Sequence, residues 1–291
     1  MSNNLVNIKS AAAKKFNLES IRNLPSVPIV VLEVSKMLDD PGTNASELGK
    51  VISTDQGMLA KILSVANSPL YGLSRRVSTI DFAIVVLGFD HIKHIVIALS
   101  MMEAFKESFD PTWNKKSYWV HSLTTASAAK RIADELGYRR TGEVFTAALL
   151  HDLGISVIQR YMNEDYKIIC ESVKNNGCTY LDAEKETIGV THQEIGGFLA
   201  ERWNLPSALS DAIANHHQPS LSTQNKTLTS IIHLADYMTQ CLSIGHFDWD
   251  NNLGLDKEII SILNLGDEDY LNNFIASYEK LFQKQIDSFN N

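Results

Sequence analysis

Cysteine is scarce and scattered. The chain has three, Cys170, Cys178 and Cys241, an odd number with no Cys-x-x-Cys pair. That argues against a redox or metal role, suits a reducing compartment, and leaves the thiols mostly to fill space. A basic excess is also lacking. Against 26 Lys and Arg stand 34 Asp and Glu, a net charge of −8, which disfavours bulk nucleic-acid binding. Long apolar runs are missing too: the longest near-continuous one, Ile95 to Met102, is too short to cross a bilayer. Met1-Ser-Asn-Asn opens no signal peptide. These absences predict a soluble cytoplasmic protein, and 291 residues suffice for two domains or one elongated helical body.

No alternating strand pattern of useful length occurs, and the punctuation is that of helices. Leu24-Pro25-Ser26-Val27-Pro28 is an extended, stiff lead-in. Val31, Val34, Met37 and Leu38 form a helical stripe that stops at Asp40-Pro41-Gly42. Asn44 and Glu47 have capping-box spacing before a second helix, Ser53-Thr54-Asp55 breaks it, and a third carries Met58, Ile62, Leu63 and Ala66. Ser78 to Asp81 caps a fourth helix ending at Gly88, and Asp90 starts a fifth. A boundary is expected near Phe109-Asp110-Pro111-Thr112, which divides the chain into 1–110, 111–240 and a C-terminal tail, 241–291. The two short helices Ala45–Ser53 and Gly57–Ala66 could be a helix-turn-helix. Lys50 and Lys61 are their only basic residues, so a packed helical hairpin is the preferred reading.

One stretch organises the second half. Val144 to Leu150 is almost wholly apolar and reads as a helix buried on all sides, running directly into His151-Asp152-Leu153-Gly154. Continued as a helix, Ala147, Leu150, His151 and Gly154 share one face, and Ala148 and Asp152 the neighbouring one. A buried ionised carboxylate needs a cation, a metal or several donors beside it. Other polar residues also fall on apolar helix faces: His121 before Thr125 and Ala128, His192 at a Thr191–Glu194 capping turn, His216 after Leu209, Ala212 and Ile213 with His217 beside it, and Asp236 after Ile232. Alone, each reads as a core residue bonded to a carbonyl. Together they place at least four imidazoles and two carboxylates inward without matching buried basic donors, which one or two transition-metal ions such as iron, manganese, nickel or zinc would satisfy.

The order His121, His151-Asp152, Asp236 resembles the H...HD...D ligand set of the HD superfamily of metal-dependent phosphohydrolases, and His192 with His216-His217 resembles the extra histidines of its HD-GYP branch. Leu24 to Pro28, Ile52-Ser-Thr-Asp55, Lys61 to Ser68, Tyr71-Gly72, Ile80...Ala83...Leu87-Gly88 and Trp203-Asn-Leu-Pro206 are similar to the HDOD domain, the HD-related output domain of bacterial signalling proteins. The resemblance, over residues 20 to 240, implies an all-α bundle with an N-terminal helical subdomain packed on an HD-like one. It implies metal ligands at His121, His151, Asp152, His192, His216, His217 and Asp236. Three departures accompany it. Ile155 stands where HD-GYP proteins carry a lysine, Thr124 where a basic residue commonly follows the first histidine, and Gln218 to Ser222 replaces the stretch leading to Gly-Tyr-Pro. A cation over the site would stabilise charge on a transferring phosphoryl group, so its loss argues against cyclic-dinucleotide hydrolysis.

The expected function is therefore a signal-transduction module that holds metal without robust hydrolysis. It would work through signalling protein partners or a small nucleotide ligand, away from membranes and DNA, and without a fused receiver, cyclase or sensor. The alternative is a metal-dependent phosphohydrolase acting on a nucleotide or cyclic dinucleotide, with Asp152 as its central catalytic residue.

Overall fold

A computed structural model describes residues 33–34, 36–37, 40, 42–105, 113–250 and 254–290. The Leu24–Pro28 stretch, Val31 and Leu38 of the first stripe, and the boundary near Phe109–Thr112 lie outside the described residues. Among those described there is no strand, and the fold is all-α. The helices are α1 (Ala45–Ser53), α2 (Gln56–Ala66), α3 (Ile80–Leu87), α4 (Phe89–Glu103), α5 (Lys115–Glu135), α6 (Thr141–Leu150), α7 (Leu153–Tyr161), α8 (Asn163–Asn176), α9 (Tyr180–Thr187), α10 (His192–Arg202), α11 (Ser207–Ala214), α12 (Lys226–Cys241), α13 (Glu258–Ile262), α14 (Glu268–Ser277) and α15 (Glu279–Asn290).

The helix starts follow local chemistry. Asn44 accepts from the Glu47 amide while the Glu47 carboxylate accepts from the Asn44 amide, the reciprocal box its spacing predicts. Thr191 and Glu194 form a second such box at the head of α10. At α3 the cap is Thr79 rather than Ser78, because only the Thr79 hydroxyl reaches the Phe82 amide. Helices α1 to α4 bury Leu48, Ile52, Met58, Ile62, Ile84, Ile95 and Leu99 against one another, and the far side of α4 packs on α6. Lys61 is tied to Glu103 of α4 as an ion pair, so one of the two cations in the α1–α2 hairpin is already engaged.

Helix α6 is enclosed as its composition predicts. Every residue from Val144 to Leu150 is at most 1 % exposed, because α5, α4, α11 and α12 all pack on it. By length and mean hydropathy the stretch Thr141–Tyr161 could cross a bilayer, but 89 % of its apolar window is buried inside the protein. The tail ties the ends together: Ser68 donates to Gln285 of α15, and Tyr278 donates to Glu135 of α5.

At the junction of the N-terminal helices with α6, His91 lies between the rings of Tyr71 and Phe145, with its Nε2 2.6 Å from the Tyr71 hydroxyl. Burial first, then nearby Lys130, pushes its pKa down to about 3. The unfolded chain therefore binds a proton more readily here, and this site's stability is intact above about pH 6.5 and lost as pH falls toward 3. Replacing His91→Gln should remove that dependence. The stability difference between wild type and variant is expected to shrink by about 1 kcal/mol between about pH 6 and about pH 5 in urea titrations. Parallel pH–stability curves would contradict this origin of acid sensitivity.

Candidate metal centre

The polar residues singled out by sequence converge on one point in the interior. His121 comes from the middle of α5 and Asp236 from α12. His192 is the first residue of α10. His151 and Asp152 sit between α6 and α7, not within a continuous helix: Asp152 has φ −95° and ψ 12°, and α7 restarts at Leu153. The break turns both side chains to the same side. Similarly, α11 ends at Ala214, so His216 and His217 lie in the turn after the helix and not on its face. No proline or glycine marks either break before these residues, so the periodic pattern ran past them.

Room for this junction comes from Gly154. A Cβ there would sit 2.0 Å from the His192 carbonyl oxygen, so only glycine lets α7 approach the start of α10. That approach brings His192 to Asp152.

Asp152 is the centre of the arrangement. Its Oδ2 lies 3.5 Å from His121 Nε2 and 3.3 Å from His151 Nε2, and its Oδ1 lies 3.6 Å from both His192 Nε2 and His216 Nε2. Asp236 Oδ1 stands 3.4 Å from His121 Nε2, and Asp236 Oδ2 is 3.9 Å from His217 Nδ1. Two overlapping groups result, His121, His151 and Asp152 on one side and Asp152, His192, His216 and His217 on the other. Their exposures run from 0 to 6 %.

Three observations bear on whether an ion fits. Although close, Asp152 Oδ1 and Oδ2, Asp236 Oδ1 and His216 Nε2 make no aligned hydrogen bond, and each is fully buried. Such atoms are costly unless something else satisfies them. The outer ring nitrogens are already committed: His121 Nδ1 to the Gly245 carbonyl at 3.0 Å, His151 Nδ1 to the Ala148 carbonyl at 2.7 Å, His216 Nδ1 to the Ile213 carbonyl at 2.7 Å, and His192 Nδ1 to Glu184 at 2.9 Å. With Nδ1 donating, each neutral ring turns an Nε2 lone pair inward. Finally, the inward nitrogens crowd together, His121 and His151 at 3.3 Å and His192 and His217 at 3.1 Å. Facing lone pairs repel unless a proton or a cation lies between them. The donor set fits divalent transition metal.

The electrostatics agree. Burial would lower His151, but the Asp152 carboxylate outweighs it and raises the pKa to about 9. Burial would raise Asp152, yet charge on His151, and after it the nearby ring nitrogens, hold it well below the carboxylate range. Burial pulls His216 down to about 4 and His217 well below the imidazole range. Without an ion the cluster keeps a proton on one side and bare rings on the other.

The outer shell contains residues that sequence patterning did not single out. Glu184 of α9 is fully buried, accepts from the His192 amide and from Trp249 Nε1, and, after burial has pulled the other way, raises the His192 pKa. Its surroundings, Ala183-Glu184-Lys185-Glu186, look like a solvated helix face. A segment from Ser243 to Asp250 straps the site. Gly245, at φ 72°, offers its carbonyl to His121, Phe247 stacks near that ring at 6.2 Å, and Trp249 is held between Tyr166 and Tyr180. His233 Nδ1 donates to the His216 carbonyl and its Nε2 accepts from the Asp256 amide, bracing the histidine turn.

Comparison with known proteins shows the family and the fold. The profile of the HDOD domain matches residues 24–219. The chain belongs to the HDOD family. A solved HDOD domain protein of unknown function from Geobacter sulfurreducens is 26 % identical, with a TM-score of 0.74 over 92 % of this chain and 93 % of that one. A Shewanella amazonensis protein named provisionally as a phosphohydrolase shares the fold at 22 % identity and a TM-score of 0.70, over 96 % of this chain and 98 % of its own. An uncharacterised Treponema pallidum protein is 23 % identical over 92 % of this chain. This HDOD chain spans about half (51 %) of that relative's length.

Gly154→Ala tests the close approach that assembles the site. The added methyl would strike His192 backbone, not a yielding side chain, and should cost about 3 kcal/mol or more in urea unfolding. A variant as stable as wild type would mean that α7 and α10 do not meet this closely.

Proposed function

We propose that this HDOD protein is a cytoplasmic signal-transduction module whose buried centre holds one or two divalent transition-metal ions and does not hydrolyse phosphoesters robustly. His121, His151, Asp152 and Asp236 would hold one ion. His192, His216 and His217 would hold a second, with Asp152 between them. The N-terminal helices (1–110), the metal-bearing helices (111–240) and the C-terminal helices (241–291) would act as one output unit toward signalling partners or a small nucleotide.

One observation carries the reading: the whole ligand set is enclosed. With 0 to 6 % exposure and the Ser243–Asp250 strap over His121, the site is built like a core, whereas an active site must admit substrate. Ile155 and Thr124, where catalytic relatives would place cations, are fully buried as well. Metal here would set the relative positions of α5, α6, α7, α10 and α12. Removing it would loosen all of them together.

Retention of every ligand position favours a second reading, a metal-dependent phosphohydrolase of nucleotides or cyclic dinucleotides. A bound divalent ion supplies a water of near-neutral pKa for attack on phosphorus. Among the described residues, however, no side chain beyond the ligands stands ready as the general acid or base.

Elemental analysis of purified protein is expected to find about one or two equivalents of iron, manganese, nickel or zinc. At a hundredfold excess over Kd the ion should add about 2.7 kcal/mol of stability. Bis-p-nitrophenyl phosphate and a panel of nucleotides should not be turned over. Metal-free protein whose melting is indifferent to all four ions would remove the metal from the proposal, and turnover abolished by Asp152→Ala would replace the signalling reading with the enzymatic one.

Glu184→Gln keeps the shape of the brace but removes the charge that orients His192. Metal affinity measured against a competing chelator should fall about 10- to 100-fold. An unchanged affinity would show that the second group of ligands does not depend on this brace.

A further inference from the structure

Between the N-terminal helices and the metal-bearing ones lies a cavity of about 420 Å³, open at one side, whose lining is mostly apolar. Helices α2 and α4 form one wall, and α5, α7 and the residues before α5 form the other. Phe105, Trp113, Tyr118 and Trp119 line it with ring surface. Its size lies within the range of small-molecule sites, and its ring-lined walls suit a flat, polarisable occupant.

Charge decides the class of occupant. Among the described residues, three charged ones line the cavity, Lys61, Glu103 and Lys115. Lys61 is paired with Glu103 and sits 5.5 Å from the centroid of the Trp119 ring, so those two charges cancel at the rim. Lys115 is exposed and has no carboxylate partner among the described residues. Among the described lining residues, one positive charge is thus left uncompensated beside a slot of aromatic rings. A nucleoside polyphosphate would bring several negative charges to meet it, and a neutral aromatic would leave it unused.

We infer that this cavity is a binding site for a planar aromatic monoanion, of the arylcarboxylate or arylsulfonate class, with its ring among Trp113, Tyr118 and Trp119 and its anion toward Lys115. The site is separate from the metal cluster and does not need metal to be loaded. Its wall nonetheless continues into the strap, since the Trp113 and Tyr118 rings lie 5.6 and 5.7 Å from that of Phe247. An occupant would therefore touch two rings that pack on Phe247, the ring beside His121.

The test uses two probes of the same skeleton on the full chain. 8-Anilinonaphthalene-1-sulfonate is an aromatic monoanion with a planar naphthalene ring, and N-phenyl-1-naphthylamine lacks the sulfonate. The sulfonate is expected to bind one per chain, about fivefold more tightly than the neutral probe, and Lys115→Glu should erase that preference. Ala60→Trp, at an exposed position on the rim, should fill the cavity and abolish binding of both probes with the melting temperature retained. Should that variant fold poorly, Trp119→Ala, on a half-buried position of the opposite wall, is expected to weaken both probes at least about fivefold through lost stacking. Absence of binding, equal affinities for the two probes, or binding indifferent to the folded wall variant would each overturn the inference. None of these outcomes changes the metal content on which the signalling proposal stands.

Discussion

Asp152 has no exposed surface, and its two oxygens face four imidazoles in two pairs. Much of the second half of the chain can be understood as a means of holding that carboxylate there. The end of α6 delivers it, the break before α7 turns it, and Gly154 removes the side chain that would keep His192 away. Asp236 adds the second carboxylate from α12. A single unpaired buried charge would be ruinous, but a carboxylate shared by two groups of ring nitrogens becomes the point about which five segments are registered.

The shell around it works by committing hydrogen. Three rings spend Nδ1 on backbone carbonyls and His192 spends it on Glu184, so the inward atoms are left as acceptors. Glu184 is in turn fixed by the indole of Trp249, and Trp249 by the rings of Tyr166 and Tyr180. Orientation passes outward from a ring nitrogen to an aromatic stack on the far side of the strap. The proton that His151, its pKa raised to about 9 by Asp152, retains occupies the place a cation would claim. Metal uptake would therefore release a proton, and acid would compete with the ion.

Sequence made the helices legible because their punctuation is strong. The Asn44–Glu47 and Thr191–Glu194 boxes act locally, and both reappear in space. The ligand residues were legible because polar groups on apolar faces are conspicuous. Two things were not. The helix breaks at His151–Asp152 and after Ala214 are imposed by what the side chains converge on, with no proline or glycine to announce them. Glu184 and Trp249 were hidden for a related reason: a glutamate among charged neighbours and a tryptophan between aspartates gain their roles only when α9 and the strap meet across 65 residues of chain.

The strap also bears on time. His121 lies beneath the Gly245 carbonyl and the Phe247 ring, and Phe247 and Trp249 are themselves 8 % and 2 % exposed. An ion lodged below cannot be exchanged by sidestepping a mobile surface loop; the strap must let go of both His121 and Glu184 first. Exchange of a bound ion would then depend on local unfolding, and loading would come early, before the tail closes over the helices. With excess chelator the half-life of the ion should track the opening rate of this segment and not the affinity of the site. A protein made in the presence of one metal would carry that choice as a record of the conditions under which it folded.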